Sequence, residues 1–143
     1  KLLCMQALWR DDPSEFHGRH VEVPPCHSWP KPLQQPRVRT LIGAAAGPRT
    51  FGAVAELADG WMPIGGAGVA AALPRLRAAA EEAGRPAQSV EVVVFGAIPE
   101  AGKLAHYQEI GVDEVVLRVP TVSDAGAIKA LDDGARYLAK IEA

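Results

Sequence analysis

The chain has 143 residues, 48% of them hydrophobic, with a formal net charge of −2. That is enough for one domain with a real core, and it excludes a disordered tail and the basic footprint of a nucleic-acid binder. No apolar run approaches the ~18 residues of a membrane-spanning helix. Cys4 and Cys26 form neither a disulfide framework nor a CxxC pair, so a reduced, cytoplasmic setting is expected.

Leu2, Leu3, Met5, Ala7, Leu8 and Trp9 make a short apolar helix end that stops at Asp11-Asp12-Pro13. It lacks the small-residue cleavage site of a signal peptide and runs into charge at Arg10. The chain does not begin with Met and this helix reads as already under way, so a piece of a longer protein is expected. Phe16 to Val23 follows as a short strand or hairpin arm, with Val21 and Val23 alternating with polar residues. From Pro24 to Pro36 come five of the twelve prolines, an extended connector with Trp29 as its apolar anchor. Residues 1–36 are thus expected to form a helix end and a proline-rich arm, with residues 13–36 outside any main sheet.

From residue 37 to 143 the texture becomes a regular alternation. Strands are expected near 39–43, 60–64, 90–96 and 114–119, all parallel and each followed by a helix. Pro48 suits a helix first turn, and Phe51, Val54, Ala55 and Ala58 share one face. Pro63 is costly in a central ladder, so the second strand is expected to be short or to end there. Leu73, Leu76, Ala80 and Ala83 mark the second helix, with Pro74 near its start and Gly84 at its end. Val90 to Phe95 is rich in β-branched residues. Leu104, Tyr107 and Ile110 mark the third helix, closed by Gly111. Asp124 is a candidate cap for the last, with Ile128, Leu131, Ala135 and Leu138 in a 3.6 period. Four such units are compatible with a complete doubly wound sheet or with half of an eight-fold barrel, which needs ~250 residues in full.

The turn after the first parallel strand is the leading site candidate. Gly43, Ala44, Ala45 and Gly47 precede a helix start with Arg49 beside it, and free N–H groups there suit an anion such as phosphate. Ile64, Gly65 and Gly66 form a second glycine-rich strand end on the same side. The competing reading is two ordinary βα turns with a solvent-facing Arg49. His17, His20, Cys26 and His27 lack the paired spacing of a metal site, and none is expected. Trp61 is expected in the core, Arg118 is a candidate at the pocket mouth, and Asp113-Glu114 and Glu81-Glu82 read as solvated carboxylates. No nucleophile–base arrangement is legible, so no catalytic residue is assigned.

Leu8-Trp9, Phe16-His-Gly-Arg-His20, Trp29-Pro-Lys-Pro32, Leu41-Ile-Gly43 and Ala58-Asp-Gly-Trp-Met-Pro63 occur in that order. Together with Leu76 to Gly84 and Gly111 to Leu117, they resemble the C-terminal half of the bacterial-luciferase-like family, in its coenzyme F-420 (deazaflavin)-dependent oxidoreductase branch. The resemblance implies an α/β protein of the (β/α)8 TIM-barrel family, this chain being about its C-terminal half, four βα units plus the arm. It implies a small-molecule substrate and a reduced deazaflavin, favoured over FMN, for hydride transfer or oxygen activation. It also implies a cofactor phosphate near Gly43 to Arg49 and Ile64 to Gly66; barrel phosphate sites generally follow the last strands, so this earlier placement rests on the resemblance. The family often carries two glycines where this chain has Gly43-Ala44. Half a barrel leaves sheet edges and an open apolar face, with Ile42, Val92 or Val94 expected to point inward. The missing half or a partner chain, and a homo-oligomer, are therefore expected. A non-catalytic α/β fragment keeping only a phosphate-holding or assembly surface is the alternative.

Overall fold

The computed structural model describes residues 1–34, 37–98 and 100–138, so Pro36 of the proline run and the helical period beyond Leu138 lie outside the described residues. The chain divides into two compact units, Lys1–Thr40 and Leu41–Ala143.

In the first unit, α1 (Leu2–Arg10) is followed by the antiparallel pair β1 (Ser14–His17) and β2 (Glu22–Cys26). Phe16 pairs with Val23 and His17 with Glu22, and the Gly18 N–H closes the turn on the Val21 carbonyl. A side chain at Gly18 would lie 2.5 Å from the Phe16 ring, which would have to move aside. The strand takes in Pro24 and Pro25, which the sequence pattern assigns to the connector; a two-stranded ribbon has outer edges where proline costs no ladder bond. Trp29 is not an apolar anchor: it is 67% exposed, and its indole N–H donates to Asp12 Oδ2 at 3.2 Å. The fastening comes from Lys31. Its ammonium donates to the carbonyls of Leu8 and Asp11 and to Ser14 Oγ, placing a cation on the orphan carbonyls at the end of α1. Ser14, fully buried, donates to the Asp11 carbonyl as well.

The second unit holds β3 (Leu41–Ile42), α2 (Pro48–Leu57), β4 (Gly60–Trp61), α3 (Val69–Glu82), a 3-10 turn at Ala87–Ser89, β5 (Glu91–Ala97), α4 (Ala101–Ile110), β6 (Glu114–Leu117) and α5 (Asp124–Leu138). The sheet order is β3-β4-β5-β6 and every pairing is parallel, as the alternation of the sequence requires. β4 stops before Pro63, but the ladder continues through carbonyls: Phe95 N–H donates to the Pro63 carbonyl at 2.9 Å, and Ile64 bridges Phe95. Gly96, at φ +78, carries the bulge that shifts the β5–β6 register.

The core lies between this sheet and its helices. Phe51 and Val54 of α2, Val69, Leu73 and Leu76 of α3, Tyr107 of α4 and Trp61, Val92 and Val94 of the sheet form one cluster. The Phe51 and Trp61 rings meet edge to face at 5.3 Å. This corrects the expected direction of three residues: Val92 and Val94 are buried in the helix-facing cluster, and Ile42 packs against it. The register then assigns Leu41, Glu91, Val93, Phe95, Glu114 and Val116 to the opposite face, because side chains alternate along a strand.

Several local expectations also change. α3 begins at Val69, so Pro74 stands inside the helix, on its exposed side, rather than near its start. Asp124 lies within the first turn of α5, where an acid complements the helix dipole, and the Ser123 carbonyl takes the first helical bond. Asp113 is not simply solvated: its Oδ2 accepts the Val92 N–H at 2.7 Å, tying the start of β6 to β5. Arg85 has a role that its surroundings in the sequence do not signal. Its guanidinium donates to the carbonyls of Val54, Ala55 and Ala58, closing the C-terminus of α2.

Candidate functional site

Parallel strands followed by helices bring all the βα turns to one end of the sheet, where such folds place their sites. The β3–α2 turn runs from Gly43 to Gly47. Pro48 is the first residue of α2, and Phe51 N–H makes the first helical bond, to the Gly47 carbonyl at 2.9 Å. Arg49 and Thr50 therefore occupy the positions whose N–H groups find no partner inside the helix. Thr50 Oγ1 donates to the Ala45 carbonyl at 2.9 Å, and the buried Trp61 indole donates to the Ala44 carbonyl at 2.9 Å. Together these bonds fix the turn from both sides.

Ala44, Ala45, Ala46, Trp61, Pro63, Ile64 and Ala67 line one cleft of about 300 Å3. The structure thus brings Ala44, Ala45 and Ile64 together. Gly65 and Gly66 line a neighbouring recess of about 440 Å3 with Ala67, Gly96, Ala97, Ile98, Lys103, His106 and Tyr107. Gly43, Gly47 and Arg49 line neither, and Arg49 is exposed at the helix start.

Glycine plays different parts at these positions. Gly47 has φ 177, an extended backbone open to any residue, and a Cβ there would meet nothing within 4 Å. A Cβ at Gly43 would make only an ordinary 3.7 Å contact with the Met62 carbonyl. Neither turn glycine is forced by the fold. The second cluster is different. Gly65 is left-handed at φ +69, and a Cβ on Gly66 would fall 1.6 Å from the Tyr107 hydroxyl.

Lys103, His106 and Tyr107 are the polar groups that sequence reasoning missed. Tyr107 reads as one more apolar position of α4, because its period matches Leu104 and Ile110. Its signal was chemical: it is the phenol among aliphatic residues on that face. Arg118 is exposed beyond the end of β6 and lines neither recess. In the first unit, His27 Nδ1 lies 2.7 Å from Asp12 Oδ1 and His17 lies 3.4 Å from Glu22. The hydrogen bond from His27 holds the Asp12 carboxyl below its ordinary range.

Parallel βα units with their clefts at the strand ends define an α/β protein with its site at that end of the sheet. Residues 1–99 match the profile of the luciferase-like monooxygenases, and the chain belongs to that family. An uncharacterized protein of Mycobacterium tuberculosis (strain ATCC 25618 / H37Rv) is 32% identical over 152 residues. That match covers 99% of this chain and 48% of the relative, so the chain spans about half the length of the curated relatives it matches. The monooxygenase RslO1 from Streptomyces bottropensis superposes with a TM-score of 0.72 at 16% identity, over 96% of this chain and 58% of that one. An F420-dependent secondary alcohol dehydrogenase in complex with an F420-acetone adduct gives 0.64 at 14% identity, over 81% and 53%. The fold is that of about half of a luciferase-like (β/α)8 barrel.

Proposed function

We propose that this chain is the C-terminal half of a luciferase-like oxidoreductase and carries the end of the site that holds the phosphate of a reduced deazaflavin, with FMN the less favoured cofactor. The observation that carries the reading is the β3–α2 turn. N–H groups at the α2 start are free of helical partners, the Gly47 position opens outward, and residues 43–50 include no acidic side chain. These residues fit a phosphate, with Arg49 adding charge at the rim. The solved dehydrogenase with its F420 adduct supports the deazaflavin over FMN. A bound reduced deazaflavin or flavin supplies a hydride, or electrons for oxygen activation, to a small-molecule substrate. This chain's residues anchor: the Trp61–Ala44 bond and the Thr50–Ala45 bond keep the turn in place. The two domains of this reading are the arm, residues 1–36, and the βα units, residues 37–143, in a cytoplasmic protein.

The exposed strand-end part of the sheet's other face completes the reading. Ile64 is 87% exposed and Phe95 44%, side by side across their bridge. In a barrel such residues meet the opposite wall, so the remaining half or a partner copy covers them, and the chain alone turns over negligible cofactor.

The test is a binding titration of both cofactors against the chain and its Gly47→Asp variant. The extended backbone and open Cβ direction accept Asp, which is also a favourable helix cap, so the variant folds. Its carboxylate would occupy the phosphate position. The expected result is deazaflavin binding that weakens at least tenfold in the variant. Equal binding by both chains, or binding of neither cofactor to either, refutes the reading.

A further inference from the structure

The recess beside the cofactor turn is chemically distinct from it. Tyr107 is 6% exposed, and its hydroxyl lies against the backbone of Gly66, where a Cβ would sit only 1.6 Å away. Among the described residues nothing hydrogen-bonds to that hydroxyl, and it is not a fully buried atom, so it opens to the recess that Tyr107 lines. A phenol hydroxyl that no protein group engages has a donor to offer a ligand in the recess. Two further donors line the same recess. His106 precedes Tyr107, with ring centroids 6.4 Å apart, and Lys103 stands one helical turn earlier. Among the described residues no acidic side chain lines it, and Glu100 lies 3.4 Å from the Lys103 ammonium at an exposed position. The volume of about 440 Å3 accepts a small molecule.

We propose that Tyr107, Lys103 and His106 form a second anion subsite, which takes a phosphate or carboxylate group of the substrate. Naming the ligand as substrate rests on the oxidoreductase reading; the anion subsite itself does not. Tyr107 donates from the recess floor, Lys103 supplies charge from the rim and exchanges Glu100 for the ligand, and His106 donates from the position next to Tyr107. Gly66 is glycine because the phenol must lie against its backbone.

The test is titration of the full 143-residue chain, 15N-labelled, with inorganic phosphate and separately with succinate. The arms compare the unaltered chain, Tyr107→Phe, Lys103→Gln and Gly47→Asp. The expected result is saturable shifts at Lys103, His106 and Tyr107 with at least one anion. Which anion binds identifies the group. Tyr107→Phe and Lys103→Gln each raise the dissociation constant at least fivefold, while Gly47→Asp leaves these shifts in place. Tyr107→Phe removes one oxygen only, and Lys103 is exposed, so both variants keep the fold. Shifts confined to Gly43–Arg49 and Ile64–Gly66, no saturable shift at all, or affinities unchanged in both variants overturn the subsite and leave the cofactor reading standing. Anion shifts at His106 in a chain that binds neither cofactor support the subsite and sink only the oxidoreductase reading.

Discussion

Substituting Gly66 by alanine tests the packing of Tyr107 directly. The new methyl would lie 1.6 Å from the hydroxyl oxygen, 2.4 Å from Cζ and 2.7 Å from Cε1. Three side-chain atoms clash, so a small tilt cannot relieve the contact, and the ring must leave its place. Tyr107 is part of the core cluster with Val92, Val94 and Leu76, and driving it out exposes an aromatic side chain and opens a void. Overpacking of this kind costs about 1–3 kcal/mol. Tyr107→Phe does not rescue it, because Cζ and Cε1 still clash. Tyr107→Leu does, because the shorter side chain ends before the methyl. The assay is urea unfolding of the four chains of a double-mutant cycle, followed by far-UV circular dichroism with slopes compared. The expected outcome is a Gly66→Ala cost of about 1–3 kcal/mol when Tyr107 is present and about 0.5 kcal/mol or less in the Tyr107→Leu background. An equal cost in both backgrounds would refute the reasoning and move the role of Gly66 to its own backbone.

Two further outcomes follow from the bonds described above. Arg85→Ala should lower stability by about 1–3 kcal/mol, since it leaves the α2 carbonyls of Val54, Ala55 and Ala58 without their cation; hydrogen exchange in residues 48–57 should accelerate, and unchanged exchange there would contradict the capping role. Asp12 has its carboxyl lowered, first by the hydrogen bond from His27. A depressed carboxyl contributes stability above its unfolded value and loses it as pH falls through the folded value, so this contribution fades on the acid side of the ordinary aspartate range. His27→Ala should bring the Asp12 titration, followed by carboxyl NMR, back up toward ordinary; an unmoved titration would assign the shift elsewhere.

Much of the fold was legible because its determinants are local. Four apolar runs alternating with 3.6-period segments fix parallel strands under helices, and Pro48, Gly84 and Gly111 mark helix ends through backbone preferences that act within one turn. The face of each strand was not legible. Val92, Val93 and Val94 are all buried and chemically identical, so no polar alternation marks which one meets the helices. Arg85 and Lys31 escaped for a related reason: each caps a helix far away in sequence, and nothing near either residue announces the carbonyls it will reach.

The candidate site divides along the same line. A glycine-bearing turn before a helix start is a local pattern, so residues 43–49 could be singled out from order alone. The sequence by itself thus determined the alternation and several helix ends, and it singled out the β3–α2 turn. Only the tertiary structure decided that Ala44 and Ile64 share a cleft, that Gly47 is open while Gly66 is not, and that a tyrosine on α4 reaches the backbone of the β4–α3 turn. The physical reason is that a turn's conformation is set by its own few dihedrals, whereas the approach of Tyr107 to Gly66 depends on how two helices seat on one twisted sheet, a distance that no stretch of sequence encodes alone.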